Sequence, residues 1–454
     1  MSELLAVLAL PLVIVALMAL PRPAMLALIA CIGLLFSRWT FLGIPLVAVA
    51  GGAAALLRAD IRDVTGVRGF RGFAVLGAAC GMLALLSVAW SPQPPLALQA
   101  AAQWLALIPM TIVGMNMVRD DGISAIGKSL ALLSPILAIQ AISTIVFRFA
   151  PLLESTYYAS ALSNLFLRDA GRGNNVIALD RAGGFLFTNV NRATLVMGIA
   201  VMLLLAYSTL ARRRWPLPLA ALLIAAIAVA GSKTAWIILL LLPLVALLIS
   251  YAAGTRSAGT RIGASLVSVG LVSVAVQSFV AAADEFVEAS QATLVPRVTL
   301  WHEGLRAYAE NPLQGLGFGG WSQRWSSGSV VIDFSERPLH NWVLQAAVDG
   351  GAIYAALNIG FVALIVLVLL RRVFDVASAR ERIGVVLAAG AFLWAFVHGL
   401  GDNTSALGGY ENLGLLPLAA TLLFVSRGTA EPNLDIGRRT EKSATTPPGR
   451  TRAV

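Results

Sequence analysis

The sequence predicts an all-α polytopic membrane protein, and three observations carry that prediction. Hydrophobic residues make up 58% of the chain against 12% charged, and the mean hydropathy is +0.82. Solid apolar runs long enough to cross a hydrocarbon layer of about 30 Å recur from end to end. Those runs lack the alternation of a β-barrel, the other architecture that satisfies its backbone in lipid. The two cysteines, Cys31 and Cys80, sit inside apolar stretches as small hydrophobes and rule out a disulfide framework.

Charge gives the orientation. The net charge of +10 is gathered at 58–71, at Arg212, Arg213 and Arg214, at Arg256 and Arg261, at 371–382, and over 427–452. Each cluster lies between or just after apolar spans, which is the positive-inside pattern of cytoplasmic loops. This distribution argues against a nucleic-acid partner.

The elements then follow in order. Residues 1–57 hold three apolar pieces broken at Pro21-Arg22-Pro23 and Ser37-Arg38-Trp39. Three crossings put the N-terminus outside; two crossings with a re-entrant or oblique piece put it inside, leaving twelve or thirteen spans open. The first run begins at Leu4 without a basic flank or a small-residue cleavage site, so it is taken as a retained span. Span 73–89 runs outward, 94–118 returns, 120–128 lies inside and 130–147 goes out. Residues 150–192 are therefore a long external loop. Span 193–210 returns to the Arg212 cluster, 216–230 goes out, Gly231-Ser232-Lys233 turns tightly outside, and 234–251 comes back. Span 262–281 goes out, which makes 282–341 the second external loop. Then 342–370 returns, 383–400 goes out and 413–425 returns. The transmembrane helical domain covers 1–426, and 427–454, polar and without an apolar period, is expected to be a disordered cytoplasmic tail.

Polar chemistry concentrates on the external face, above all in 296–351. Such a segment far exceeds an ordinary connection of about four to six residues. Pro296 suits a first helical turn, Trp301, Leu305 and Tyr308 form an apolar stripe at helical spacing, and Asn311-Pro312 ends the helix. Arg297 then lies in the first turn, where a cation opposes the helix dipole by roughly 0.3–1 kcal/mol. A bound anion would reverse that penalty; snorkelling to lipid headgroups is the plainer alternative. Ser335 as N-cap and Pro338 in the first turn predict a helix starting near His340. A helix-start histidine is biased toward its neutral, proton-accepting form; the alternative is an interfacial histidine bonded to a loop carbonyl. His302 and His398 make weaker candidates. In the first loop, Arg181 stands among glycines and Arg192 near the next span, where an interfacial anchor is also expected. Lys233, at a span junction, either snorkels or contacts an anion.

Other chemistries lack their residues. No Asp-x-Asp pair is present, the three histidines have no metal-ligand spacing, and there is no P-loop or dinucleotide fingerprint. Asp349 is the main acid within a span, too little for a proton-coupled pump. Neither a metal nor a cofactor is expected.

Together, Gly231-Ser232-Lys233-Thr234, Arg297 with Leu300-Trp301, the run from Asn311-Pro312 through Gly315, Gly317 and Gly319, and His340-Asn341 followed by Gln345 and Gly350-Gly351 resemble the O-antigen ligase and polymerase family. That family includes bacterial protein O-oligosaccharyltransferases. The motifs cover roughly residues 180 to 352. Lys233 departs from the arginine of many relatives, keeping charge but losing the bidentate fork. The resemblance implies a GT-C-like glycosyltransferase of about twelve transmembrane helices, both ends cytoplasmic, in a Gram-negative inner membrane. It implies transfer at the periplasmic face, without metal and with inversion, from an undecaprenyl-diphosphate-linked glycan to a sugar hydroxyl of lipid A–core. By the same pattern His340 is the general base, and Arg297 and Arg181 hold the diphosphate. Lys233, Arg192, Asn191, Asn341 and Trp301 fall to substrate contacts, with membrane lipids around them. Polymerisation on the lipid carrier and protein O-glycosylation are the neighbouring activities. A lipid-linked glycan flippase or transporter would instead need polar mid-bilayer positions and repeat symmetry, and the sequence shows neither.

Overall fold

The computed structural model describes residues 2–36, 39–41, 44–61, 64, 66–167, 181–254, 284–326, 338–376, 378–401 and 405–425. The expected span at 262–281, Arg256 and Arg261, the tail at 427–454 and Ser335 lie outside these residues. The described chain runs α1 (Ser2–Ala19), α2 (Arg22–Leu35), a two-stranded hairpin (Thr40–Phe41 with Ile44–Pro45), α3 (Leu46–Arg58), α4 (Phe70–Leu86), α5 (Pro94–Asp121) and α6 (Ser124–Phe149). It continues through α7 (Pro151–Tyr158), α8 (Ser163–Phe166), α9 (Val190–Ala211), α10 (Pro216–Val229), α11 (Lys233–Gly254), α12 (Asp284–Glu310) and α13 (Gly320–Ser326). It closes with α14 (Trp342–Asp375), α15 (Ala379–Gly399) and α16 (Leu416–Phe424).

Among the described residues, six helices are long and apolar enough to cross a membrane: Phe70–Ala89, Pro94–Asp121, Ser124–Phe149, Val190–Ala211, Trp342–Asp375 and Ala379–Gly399. Their burial ranks them. The apolar window of Val190–Ala211 is 89% buried, whereas those of Phe70–Ala89 and Ser124–Phe149 are only 33% buried. α9 is therefore the central helix, packed on α15, α10, α6 and α16, and α4 and α6 turn apolar faces outward. Where α9 meets α15, a Cβ on Gly198 would overlap the Trp394 ring, the close small-residue approach that membrane helices use in place of a hydrophobic drive.

The arginine junctions gather at one end. Arg22 pairs with Asp120, the Arg58 guanidinium donates to the Leu20 carbonyl, and Asn116 Nδ2 donates to the Asp60 carbonyl at 3.1 Å. Arg380 reaches the Thr209 carbonyl at 3.0 Å and Arg372 the Leu423 carbonyl at 3.1 Å. The opposite end collects the described parts of the segments expected outside: 87–93, 150–167, 181–189, 230–233, 297–326, 338–342, 400–401 and 405–415. Over residues 2–58 the three apolar helices alternate in direction. The α1–α2 and α3 junctions meet at the arginine end, the hairpin and the α2 C-terminus near Tyr410 at the other. At 1.5 Å per residue, the 14 residues of α2 and 13 of α3 rise about 20 Å, short of the roughly 30 Å hydrocarbon layer.

Two helix starts differ from expectation. α12 begins at Asp284, so Pro296 and Arg297 lie in its interior and not in a first turn. α14 begins at Trp342, capped by Asn341, so Pro338 and His340 precede the helix. Moreover, α14 is broken at Gly351 (φ 71°, ψ −171°), where the sequence suggested one continuous span.

Candidate functional site

The first loop folds back into the outer end. Gly183 and Gly184 are buried, and side chains of α6 and α7 hold the backbone around them. Gln140 donates to the Gly183 carbonyl at 2.7 Å and accepts from the Leu186 N–H at 2.8 Å, while the Glu154 carboxylate accepts from the Gly183 N–H at 3.0 Å. Tyr157 and Tyr158 donate to the carbonyls of Phe185 (2.8 Å) and Phe187 (2.9 Å). Burial first, then the neighbouring Glu154 carboxylate, pushes the Tyr158 hydroxyl well above the usual phenol range, so it remains a donor.

This fold brings distant motifs together. The Ala182 N–H donates to the Ala230 carbonyl at 3.1 Å, which sets the half-buried Arg181 beside the Gly231-Ser232 turn and the start of α11 at Lys233. Asn189 caps α9 through the N–H groups of Asn191 (2.8 Å) and Arg192 (3.2 Å). The Asn191 side-chain oxygen accepts from Ser232 Oγ at 2.9 Å, so the two turns expected outside are tied side chain to side chain. Arg192 faces the buried Glu411, with Nε 3.6 Å from Oε1.

Arg297 joins the same end from another direction. Being inside α12, it has no free helix N–H groups beside it, and the anion cradle expected there is absent. Instead its Nη1 donates to the Gly401 carbonyl at 2.6 Å, just beyond α15. Gly401 lies against Thr234, on the first turn of α11, so the Arg297 head group approaches the Lys233 segment. One turn along α12, Trp301 Nε1 donates to the Leu339 carbonyl at 2.8 Å. Its N–H serves the chain before His340, where a substrate contact was expected. His302 is exposed on α12, and His398 is buried near the end of α15.

His340 is half-buried with a left-handed φ of 52°, one of two non-glycine residues with positive φ among those described. Such backbone strain in a non-glycine residue persists only where the surroundings fix it, and it clusters at functional sites. Asn341 follows, its side-chain oxygen accepting from the N–H groups of Val343 (3.0 Å) and Leu344 (3.2 Å). Asn341 thus spends its acceptor on the helix cap. Trp342 Nε1 donates to the Phe396 carbonyl at 2.9 Å and ties this corner to α15.

Sequence reasoning did not foresee what the glycine run does. Gly315, Gly317 and Gly319 all have positive φ, and their loop docks into the break in α14. The Leu316 and Gly317 N–H groups donate to the carbonyls of Val348 (2.7 Å) and Asp349 (3.0 Å), and the Ala352 N–H donates to the Pro312 carbonyl at 2.7 Å. Groups that a continuous helix would pair internally are thereby satisfied by the loop. The loop also holds the turn between α4 and α5, with the Phe318 N–H on Ser91 Oγ at 2.9 Å. Gly350-Gly351 inside an apolar run was the available signal. Glu411, at the start of an apolar segment, was the available signal for the partner of Arg192.

A model of the O-antigen ligase family matches residues 218–359. That stretch contains Lys233, Arg297, Trp301, His340, Asn341 and the glycine loop, and the fold delivers Arg181, Asn191 and Arg192 to it. No curated protein matches the chain.

Proposed function

We propose that the chain is an O-antigen ligase, a reading supported by the match of the O-antigen ligase family model to residues 218–359. It takes a glycan from undecaprenyl diphosphate and joins it to a sugar hydroxyl of lipid A–core, at the periplasmic face of a Gram-negative inner membrane. One observation supports this reading most. Four sequence-distant segments meet at the end away from the arginine junctions: the Arg181 segment is bonded to the 230–233 turn, the Arg297 helix to the chain before His340, and Gly401, which accepts from Arg297, lies against Thr234 beside Lys233.

The acceptor hydroxyl oxygen attacks the anomeric carbon, whose bond to the diphosphate oxygen breaks, and the configuration inverts. The lipid diphosphate departs as an anion, so the transition state gains from cations placed around it. Arg297 and Arg181 take that role, with Lys233 as a point charge. His340 accepts the hydroxyl proton. About twelve spans in a GT-C-like arrangement carry this site.

His340→Ala should lower transfer by about 10²- to 10⁴-fold, the usual contribution of a general base, with the protein still in the membrane. Normal transfer by that variant would sink the assignment. The acceptor is tested by deleting the gene and examining lipopolysaccharide. Core with no polymer, alongside accumulated lipid-linked polymer, supports the ligase. A single repeat on the core would make the chain a polymerase, and intact lipopolysaccharide with lost glycoprotein would make it a protein glycosyltransferase.

A further inference from the structure

Behind His340 stands a set of polar bonds that the transfer chemistry itself does not use. Leu339 has its side chain fully buried in a small cluster with Leu300, Ala307, Trp321 and Val348, beneath α12 and α13. Its backbone is held from both sides: the carbonyl accepts from Trp301 Nε1 at 2.8 Å, and the N–H donates to Gln345 Oε1 at 3.3 Å. Gln345 Nε2 in turn lies 3.0 Å from both carboxylate oxygens of the buried Asp349. The backbone carbonyl of Asp349 accepts from the Gly317 N–H at 3.0 Å, so this acid is anchored by the glycine loop.

A glutamine amide is ambiguous by itself, since its oxygen accepts and its nitrogen donates. A carboxylate removes the ambiguity: the NH₂ must face Asp349, which leaves the oxygen for the Leu339 N–H. Burying an acid in an apolar span is costly, and the visible return is an amide fixed in one orientation. The next residue along, His340, holds its left-handed φ between the pinned Leu339 and the capping Asn341.

We infer that Trp301, Gln345 and Asp349 form a backbone clamp on Leu339 that positions the His340 imidazole, making them positioning residues for the transfer. The inference rests on the assignment of His340 as general base. A polar clamp built from α12 and the first half of α14 keeps the histidine in place although it lies outside any helix.

The test uses the full-length protein in lipid nanodiscs and two readouts. Diethyl pyrocarbonate labels histidines, and peptide mass spectrometry gives the rate at His340 with exposed His302 as internal reference. Transfer is followed with lipid-diphosphate-linked glycan extracted from host membranes. Trp301→Phe and Gln345→Leu should alter the His340 labelling rate severalfold relative to His302. They should lower kcat by about 10- to 100-fold, the cost of roughly 1 Å of misplacement, without raising the donor KM. Asp349→Asn keeps an acceptor for Gln345 and should recover most of the kcat that Asp349→Leu loses. An unchanged His340 rate in folded Trp301→Phe and Gln345→Leu would overturn the clamp. A raised donor KM with unchanged labelling would also overturn it, in favour of direct substrate contact. If labelling shifts while His340→Ala transfers normally, the clamp stands and the general-base assignment falls.

Discussion

Arg297 works from the middle of a helix, and its position changes how it can hold an anion. A first-turn cation would have shared the anion with free backbone N–H groups. In α12 the proposed diphosphate contact has to come from the arginine's own fork of donors. One arm is spent on the Gly401 carbonyl, which aims the planar group, and a guanidinium has five N–H donors to distribute. Arg297→Lys keeps the charge but cannot hold the carbonyl and a diphosphate oxygen in one fixed plane. Losing one charged hydrogen bond costs about 1.5–3 kcal/mol, so transfer by Arg297→Lys should fall about 10- to 100-fold. Lys233→Arg, at the start of α11, should be active. Equal activity of Arg297→Lys and the parent would remove the fork argument. Asn341 supplies a contrasting test, because its oxygen caps α14. Asn341→Ala should cost about 0.5–2 kcal/mol of stability, and Asn341→Asp should recover most of it, read as the temperature at which detergent-solubilised protein loses its folded fraction.

At the scale of elements, the docking of the glycine loop into the broken α14 is what builds the site. Gly351 adopts φ 71° and ψ −171°, a region essentially reserved for glycine, and a Cβ there would overlap the Leu313 carbonyl. Gly351→Ala combines about 1–3 kcal/mol of backbone strain with loss of loop docking. It should expose 311–320 to proteases and abolish transfer, whereas Gly122→Ala, whose Cβ meets nothing within 4 Å, should pay only for its φ. Protection of the loop in Gly351→Ala would show that the docking does not depend on the break. The spacing of these glycines was legible in the sequence, but their partner was not. The pairing of 315–317 with 348–352 is non-local, and periodicity reports only on neighbours. The same limit explains α12. Pro296 resembles a helix start, yet α1, α5 and α6 also carry interior prolines at Pro11, Pro109 and Pro135. A proline removes one backbone hydrogen bond and can kink a helix without ending it, so it is weak punctuation by itself. At His340 the true cap was one residue away in Asn341, and the outer signal from Ser335 and Pro338 drew the boundary too early.

For the whole molecule, the six long apolar spans and the gathering of the described polar loops at one end were legible because both rest on long-range composition. A run of apolar residues reports its own burial, and an arginine cluster its own side. The shortness of α2 and α3 was not legible, since it follows from packing against other helices. The arrangement makes a directional prediction. Ala309 is exposed on α12 among the site segments, and Arg213 is exposed at the α9–α10 junction on the arginine-rich end. The native cysteines lie within apolar helices, Cys31 half-buried and Cys80 buried, so the parent chain serves as the unlabelled control. In spheroplasts, a membrane-impermeant maleimide should label Ala309→Cys at once and Arg213→Cys only after permeabilisation. The reverse pattern would put the His340 corner on the cytoplasmic side. There the arginine junctions would face outward against the positive-inside rule, and glycan transfer at the periplasmic face could not be the function of this site. Labelling of both positions before permeabilisation would mean that α10 through α12 do not cross as the alternation requires, which would undo the common face on which Arg181, Lys233, Arg297 and His340 were joined.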